Sequence, residues 1–198
     1  MIKFSNLNQE KPYLIFKSKY EEALNAGQKG IEVISISSYN SKLNEVNSRY
    51  VNLKFINDDE FIFFSNYDSP KASSFSSHNQ ISALMYWSTI NVQIRMKAKI
   101  KKTPEEFNKQ YFASRTKEKN ALAISSNQSK QIDSYLKIKE NFKKSMKNDD
   151  LKKCPKYWGG YSFTPYSFEF WEGHEFRINK RDLYELNKGN FIHSILQP

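Results

Sequence analysis

The chain has 198 residues, a formal net charge of +10, and a composition that is 38% hydrophobic and 15% aromatic. The aromatic content excludes an intrinsically disordered chain, and no apolar run approaches the roughly 18 residues that a membrane-spanning helix needs. The length fits one domain covering residues 1–198, and many aromatic residues with few Gly and Pro favour β structure.

The positive charge comes mostly from lysine, with 26 Lys against five Arg. The lysines are scattered along the whole chain, which indicates a general bias in residue usage and not a nucleic-acid-binding stripe. We therefore expect no nucleic-acid partner. The arginines are more informative, because a guanidinium binds phosphate or carboxylate through two parallel hydrogen bonds and lysine cannot replace it. They are Arg49, Arg95, Arg115, Arg177 and Arg181.

Two features concern the cellular setting. Cys154 is the single cysteine, so no internal disulfide can form. The segment from Met1 to Pro12 lacks the apolar core of a signal peptide. We expect a protein of the reducing cytoplasm that makes no membrane contact.

The first part of the chain reads as one helix followed by strands. Apolar residues recur at helical spacing before Gly27, a typical helix end. Runs rich in β-branched and aromatic residues follow, separated by polar turns. The predicted elements are a helix over 10–26 and strands over 31–37, 49–56, 60–65 and 81–87.

The clearest strand covers residues 92–101, where apolar and polar side chains alternate over ten positions. Period-two alternation of that length predicts a half-buried strand. The sequence Thr103-Pro104-Glu105-Glu106 then predicts a capping box, with a helix running to about Arg115.

The second half is first polar and then aromatic. A polar helix is predicted over 129–147, and after Pro155 three β-rich stretches follow, YWGGYSF, SFEFWEG and HEFRIN. A last hairpin is predicted to turn at residues 187–190. Consecutive antiparallel strands with inserted helices predict an α+β fold, a β-barrel with peripheral helices.

Common catalytic motifs are absent. The sequence contains no dinucleotide-binding glycine fingerprint, phosphate-binding P-loop, hydrolase nucleophile elbow or zinc-protease helix motif. The three histidines, His78, His174 and His193, lack metal-ligand spacing, so we expect no metal site.

Ordered segments along the chain resemble the pyridoxamine 5′-phosphate oxidase family. The most specific are Tyr157-Trp158-Gly159-Gly160-Tyr161 and Glu169-Phe170-Trp171-Glu172-Gly173. The weaker ones, in chain order, are residues 48–54, 63–66, 69–71, 92–95, 111–115, 126–129, 177–181 and 196–198. The resemblance covers the chain from about residue 10 onwards. It implies an antiparallel, Greek-key-like split β-barrel homodimer with FMN in the subunit interface.

The resemblance also implies residues for each ligand. Phosphate and ribityl contacts of FMN suit cations, hydroxyls and amides, and the flavin ring suits aromatic walls and a few donors. The implied FMN-binding residues are Arg49, Tyr50, Val51, Lys54, Phe64, Ser65, Lys71, Gln93, Gln128, Ser129, Trp171 and Arg181. The implied substrate-binding residues are Lys54, Tyr111, Arg115, Lys119, Arg177 and Asn179, the last two also in catalytic positions.

One pair can be judged by geometry as well. Tyr111 and Arg115 are four residues apart in the predicted helix, so they should share one face and could both reach one phosphate. The alternative is a tyrosine that packs against the stem of an arginine.

The chain departs from the family pattern at three positions. Pro70 stands where the family has an arginine, Asn179 where it has a histidine, and Lys119 where it has a phosphate-binding serine. Asn179 cannot gain a proton near neutral pH as a histidine can.

Three hypotheses for function follow from the resemblance. The first is an oxidase that converts pyridoxamine or pyridoxine 5′-phosphate to pyridoxal 5′-phosphate, with O₂ reduced to H₂O₂. The second is an FMN oxidoreductase of the same fold that acts on another substrate, such as a phenazine precursor. The third is a protein that binds flavin or a B6 phosphate without turnover.

Overall fold

The computed structural model describes all residues from 1 to 198, in nine strands, five helices and a short 3-10 turn at Glu175–Arg177. The strands are β1 (Lys3–Ser5), β2 (Val33–Asn40), β3 (Glu45–Asn57), β4 (Glu60–Asn66), β5 (Gln80–Trp87), β6 (Val92–Lys102), β7 (Trp158–Glu172), β8 (Lys180–Asn187) and β9 (Asn190–Ile195). The helices are α1 (Lys11–Asn25), α2 (Pro70–Ser77), α3 (Glu105–Ser114), α4 (Lys117–Ser125) and α5 (Tyr135–Asn148).

Six strands close on themselves. They pair antiparallel in the order β3-β2-β5-β6-β7, and β4 joins β7 back to β3. Closure removes the exposed edges that an open sheet would present. The short β1 adds parallel to β3, and the β8–β9 hairpin extends the sheet beyond β7. The predicted α+β barrel with peripheral helices is confirmed.

One continuous core fills the barrel. It contains 28 buried residues, and many of its aromatic side chains meet edge to face, an arrangement that the quadrupoles of aromatic rings favour. Helix α1 contributes Phe16, whose ring lies 5.1 Å from Phe61 and 5.6 Å from Trp87. Because these contacts join α1 to β4 and β5, the helix is packed directly against the barrel.

Several predicted elements are placed well. The alternation in β6 is confirmed, since Val92, Ile94, Met96, Ala98 and Ile100 are all buried. The last hairpin is also confirmed. Its two-residue loop has φ +49° at Lys188 and +89° at Gly189, which is typical of a type I′ turn.

Other expectations were wrong in detail. The polar helix begins at Tyr135 and not at 129, and α2 and α4 were not predicted. The capping box does not form. Pro104 occupies the N-cap, and the Thr103 hydroxyl donates instead to Asn108 Oδ1 at 2.6 Å. The two aromatic stretches after Tyr157 are one strand, β7.

None of the helices is long and apolar enough to cross a lipid bilayer.

Gly159 lies where β7 passes under α3, and a side chain there has no space. An added Cβ would overlap the Tyr67 hydroxyl and lie 2.6 Å from Asn108 Nδ2. Both groups are fixed, because Tyr67 donates to Gly160 O at 2.9 Å and Asn108 Nδ2 donates to Tyr67 at 3.1 Å. We expect Gly159→Ala to lower the free energy of unfolding by about 1–3 kcal/mol. An unchanged urea midpoint would contradict this expectation.

Candidate functional site

A cavity of about 700 Å³ lies between strands β3 and β4 on one side and helices α3 and α4 on the other. Its lining includes five cationic side chains and no carboxylate, so the potential inside favours an anion. We call it the basic cavity. Its cations are Lys3, Lys54, Lys71, Arg115 and Lys119.

Ten of the predicted ligand residues line the basic cavity. They come from six separate parts of the chain, which the barrel and its helices bring together. These residues are Tyr50, Val51, Lys54, Phe64, Ser65, Lys71, Tyr111, Arg115, Lys119 and Gln128.

Arg115 is held on the cavity wall by three contacts. Its guanidinium carbon lies 4.5 Å from the centre of the Trp158 ring and 5.4 Å from that of Phe112, and Nη2 donates to Lys119 O at 3.2 Å. Nη1 is buried and has no hydrogen-bond partner within the protein. A buried, unpaired cationic donor is costly, so a bound anion at this atom would stabilise the site.

The expectation that Tyr111 and Arg115 share one face of a helix was wrong. Helix α3 ends at Ser114, and Arg115 follows it with an extended backbone (φ −77°, ψ 161°). The guanidinium therefore reaches the cavity from the end of the helix and not from its face. Both side chains nevertheless line the same cavity.

Apart from Lys3, the cations of the cavity have different charged neighbours. Burial lowers the pKa of Lys54, and the positive charges of Lys119 and Arg115 lower it further against the opposing effect of Glu32. Burial also lowers the pKa of Lys71 to about 8, and there the neighbouring charge is Arg49. One cation cluster therefore consists of Lys54, Arg115 and Lys119, and the other of Lys71 and Arg49.

A column of stacked rings forms one wall of the cavity. The Phe64 ring lies 3.9 Å from Tyr111 at an interplanar angle of 21°, and 5.1 Å from Trp158 at 9°. Trp158 in turn carries Arg115 on its face. Trp158 was not predicted as a site residue, although it lies in one of the two most specific motifs of the sequence.

Other lining residues were not predicted either, among them Asn66 and Lys3. Asn66 lies beside Ser65, and its backbone N–H and the Ser65 hydroxyl both donate to Gln128 Oε1 at 3.4 Å. Lys3 lines the cavity because β1 pairs with β3 at Phe55. A three-residue strand leaves no periodic signal, so the sequence alone could not place Lys3 there.

Two predicted phosphate ligands lie just outside the lining. Arg49 is half-buried, and its Nη1 donates to Ile36 O at 3.0 Å and to Ser38 Oγ at 2.8 Å. Ser129 is exposed in the α4–α5 loop with a left-handed φ of +68°. Each is nevertheless close to a lining residue, Arg49 to Lys71 and Ser129 to its neighbour Gln128.

The remaining predicted residues form a second group on the outer face of the barrel. Gln93, Trp171 and Arg181 are direct cross-strand neighbours on β6, β7 and β8, and we call them the outer row. Asn179 and Arg181 line an open depression beside residues 195–198. This depression and the basic cavity share no lining residue.

Arg177 lies in the 3-10 turn between β7 and β8, and its side chain is exposed. Arg177 and the preceding Phe176 both have left-handed φ values, +60° and +52°. Two consecutive left-handed residues other than glycine are strained. Phe176 is also 90% exposed, so the turn presents both side chains to the outside of the protomer.

Comparisons with known proteins identify the family. Residues 20–144 match the family model described as pyridoxamine 5′-phosphate oxidase. Residues 158–198 match that of the pyridoxine 5′-phosphate oxidase C-terminal dimerisation region. The second match supports a homodimer, and the matched region comprises β7, the 3-10 turn and the β8–β9 hairpin.

Individual relatives agree with the family models. The pyridoxine/pyridoxamine 5′-phosphate oxidase 1 of Hydrogenovibrio crunogenus is 33% identical over 178 residues, covering 89% of this chain and 82% of the relative. The corresponding enzyme of Leptospira biflexa is 31% identical, with coverage of 94% and 89%.

Solved structures show the same fold. PhzG from Burkholderia lata, in complex with tetrahydrophenazine-1-carboxylic acid, superposes with a TM-score of 0.89 at 21% identity, covering 96% of this chain and 93% of that one. A pyridoxamine 5′-phosphate oxidase-related, FMN-binding protein from Nostoc punctiforme gives 0.76 at 11% identity, with coverage of 92% and 97%. At such identities these likenesses describe the fold. The family models and the sequence relatives together show that this chain belongs to the pyridoxamine 5′-phosphate oxidase family.

Proposed function

We propose that this protein is an FMN-dependent oxidase that converts pyridoxamine or pyridoxine 5′-phosphate to pyridoxal 5′-phosphate. The observation that carries the proposal is a cavity without a carboxylate that has a cation cluster, Lys54, Arg115 and Lys119, in its lining, and a second cluster formed by Lys71 of the lining and Arg49 just outside it. Two separate clusters suit two phosphate-bearing molecules, a cofactor and a substrate, bound side by side. We further propose that residues 1–198 form a single domain. We also propose that the protein acts in the cytoplasm and that it has no nucleic-acid partner.

The residues around Lys71 fit the phosphate end of FMN. Lys71 and Arg49 supply charge, and the Ser65 hydroxyl and the Gln128 amide supply hydrogen bonds. Ser129 and Val51 would line the ribityl chain, with Tyr50 and Phe64 beside them. Bound FMN would supply the two-electron redox chemistry.

The residues around Lys54 fit the phosphate of the substrate. The unpaired Arg115 Nη1 would gain the acceptor that it lacks, and Lys54 and Lys119 would add charge. Tyr111, which belongs to the stacked column, would donate a hydrogen bond from its hydroxyl to the phosphate. These groups orient the substrate, and orientation supplies much of the catalysis when no general base is present.

The other half of each site would come from the partner subunit. Gln93, Trp171, Arg181, Arg177 and Asn179 lie outside the basic cavity of their own protomer, and the last four lie within the dimerisation region. In a two-fold symmetric dimer, each subunit that contributes residues to its partner's site receives the same residues from the partner in its own site. Arg181 and Trp171 would then lie near the flavin ring, with Arg177 and Asn179 over the substrate.

The reaction balances with O₂ as the oxidant. Pyridoxine 5′-phosphate and O₂ give pyridoxal 5′-phosphate and H₂O₂. The amine substrate additionally consumes water and releases ammonia. One hydrogen leaves the substrate carbon as a hydride and one leaves its oxygen or nitrogen as a proton, and both are recovered in H₂O₂.

The direct test combines an FMN titration with an oxidase assay on the purified dimer. We expect quenching of flavin fluorescence at micromolar protein, and formation of pyridoxal 5′-phosphate and H₂O₂ in equal amounts. Absence of quenching would overturn the whole proposal. Binding of FMN without turnover of either B6 phosphate, but with oxidation of another aromatic anion, would instead favour an oxidoreductase of the same fold with a different substrate. If FMN binds but no substrate is oxidised, the protein would be a flavin-binding protein without turnover.

The affinity for FMN should depend on pH through Lys71. Its ammonium has a lowered pKa of about 8 in the free protein. A bound phosphate dianion favours the charged form and so raises this pKa. Below pH 8 Lys71 is already charged and binding needs no proton, whereas above pH 8 binding requires proton uptake. We therefore expect Kd to be flat near neutral pH and to rise above pH 8, by at most about tenfold per pH unit.

Lys71→Arg is the control, because its guanidinium stays charged across this range. The variant should show a flat Kd up to about pH 9.5. A flat wild-type profile would mean that Lys71 does not contact the phosphate.

A further inference from the structure

Glu169 is a buried carboxylate shared by two arginines on the outer face of the barrel. Its side chain is only 11% exposed. Arg95 Nη1 lies 3.1 Å from its Oε2, while Arg181 Nε and Nη2 lie 2.9 and 2.8 Å from its Oε1. A carboxylate in this setting orients both guanidinium groups through charge-assisted hydrogen bonds.

Arg181 is also held from a second side. Its Nη1 donates to Gln197 O at 2.8 Å, and its own carbonyl accepts from Leu196 N at 2.9 Å. The guanidinium therefore has its position fixed before any ligand arrives. Fixing a long side chain in advance removes part of the entropy cost of binding.

The charges of this cluster do not cancel. Two guanidinium groups and one carboxylate leave a net charge of +1, next to Trp171 and Gln93 in the outer row. The carboxylate thus fixes Arg181 without removing the positive charge that a flavin ring would meet.

We propose that Glu169 is a positioning residue for the flavin, which acts by holding Arg181 in the orientation that meets the ring. The inference rests on the proposed function only in that Arg181 contacts FMN. Glu169 itself touches neither ligand.

The test is a double-mutant cycle on the affinity for FMN, measured with the full-length dimer by fluorescence quenching. Glu169→Gln should raise Kd roughly tenfold, the loss expected for one charge-assisted contact. Arg181→Gln should raise it at least as much. The double variant should be no weaker than Arg181→Gln alone, since Glu169 has no effect once Arg181 is gone.

Glu185→Gln is the matched control. It removes the same charge from the same face of the sheet, on the neighbouring strand β8, and Glu185 is exposed and makes no ion pair. We expect its Kd to equal that of wild type. Additive effects of Glu169→Gln and Arg181→Gln, or an unchanged Kd for Glu169→Gln, would overturn the inference.

Loss of the counter-charge could also unfold the barrel or separate the dimer. Glu169→Asp covers that case, because it keeps the charge but withdraws the carboxylate by one methylene. We expect a folded dimer with weakened FMN binding. Wild-type affinity in Glu169→Asp, with melting temperature and dimer intact, would contradict the proposal. A wild-type protein that fails to bind FMN would instead contradict the proposed function, so the two failures are distinct.

Discussion

Arg177→Ala is expected to lower kcat/KM for pyridoxamine 5′-phosphate by about 100-fold or more, or ~2.7 kcal/mol in transition-state stabilisation. Arg177 is the cation proposed to lie over the substrate ring. In its own protomer it is exposed, strained at φ +60°, and absent from the lining of the basic cavity. Strain of this kind persists where the surroundings hold it, and it often marks a functional residue. FMN binding and the melting temperature should change little, because Arg177 makes no hydrogen bond or ion pair through its side chain within the protomer.

Complementation between subunits tests where Arg177 acts. Arg115 lines the basic cavity of its own protomer, so Arg115→Ala and Arg177→Ala would damage different halves of each site. Each homodimer should be nearly inactive. After unfolding and refolding of an equal mixture, half of the dimers are mixed, and one of their two sites contains both arginines. Activity should therefore return to about a quarter of wild type.

The control is wild-type protein carried through the same refolding. No recovery of activity in the mixture would mean that both arginines serve the same protomer's site, or that Arg177 has no catalytic role.

The predictable parts of the fold are the elements that depend on residues close together in the sequence. The alternation over β6 follows from one buried and one exposed face, and the sequence shows it directly. The start of α1 and the β8–β9 turn also depend on neighbouring residues alone. Strand β7 was divided in error, because 11 of its 15 residues are buried and no regular alternation marks its length.

The missed helices are short and carry weak patterns. Helix α2 is rich in serine, and because serine is common in turns the sequence did not predict a helix there. In α4 only Asn120 and Ala121 are buried, so it has almost no apolar stripe. Closure of the barrel through β4 and β7 joins residues about 100 positions apart, for example Phe61 with Phe163, and no local pattern reports it.

The candidate site was predictable only through motifs. The resemblance named Lys54, Lys71 and Arg115 from their sequence context, and the cavity brings them together. It could not reveal that Arg115 rests on Trp158 or that Glu169 holds Arg181, because those contacts depend on the packing of particular side chains.

Asn179→His is expected to raise kcat/KM for pyridoxamine 5′-phosphate by about 5- to 30-fold, or ~1–2 kcal/mol. In the present chain Asn179 Oδ1 accepts a hydrogen bond from the His174 backbone N–H at 3.2 Å, which closes the loop that carries Arg177. A neutral imidazole could accept the same bond through Nδ1 and still present Nε2–H to the substrate. The loop would thus keep its shape while the site gains an N–H donor directed at the substrate.

Asn179→Ala separates the two roles of this residue. It removes the loop closure without adding an imidazole, so its kcat/KM should fall below that of wild type.

The rival interpretation is that Asn179 and Lys119 define a pocket for a different anion. Lys119 lines the basic cavity and its charge lowers the pKa of Lys54, so it acts on the proposed phosphate site. Under that rival, Asn179→His would leave B6 phosphate turnover at background, and another aromatic anion would bind wild type more tightly than the variant. Assaying wild type and both variants on one substrate panel decides between them, because the B6 oxidase hypothesis requires the rank order His above Asn above Ala.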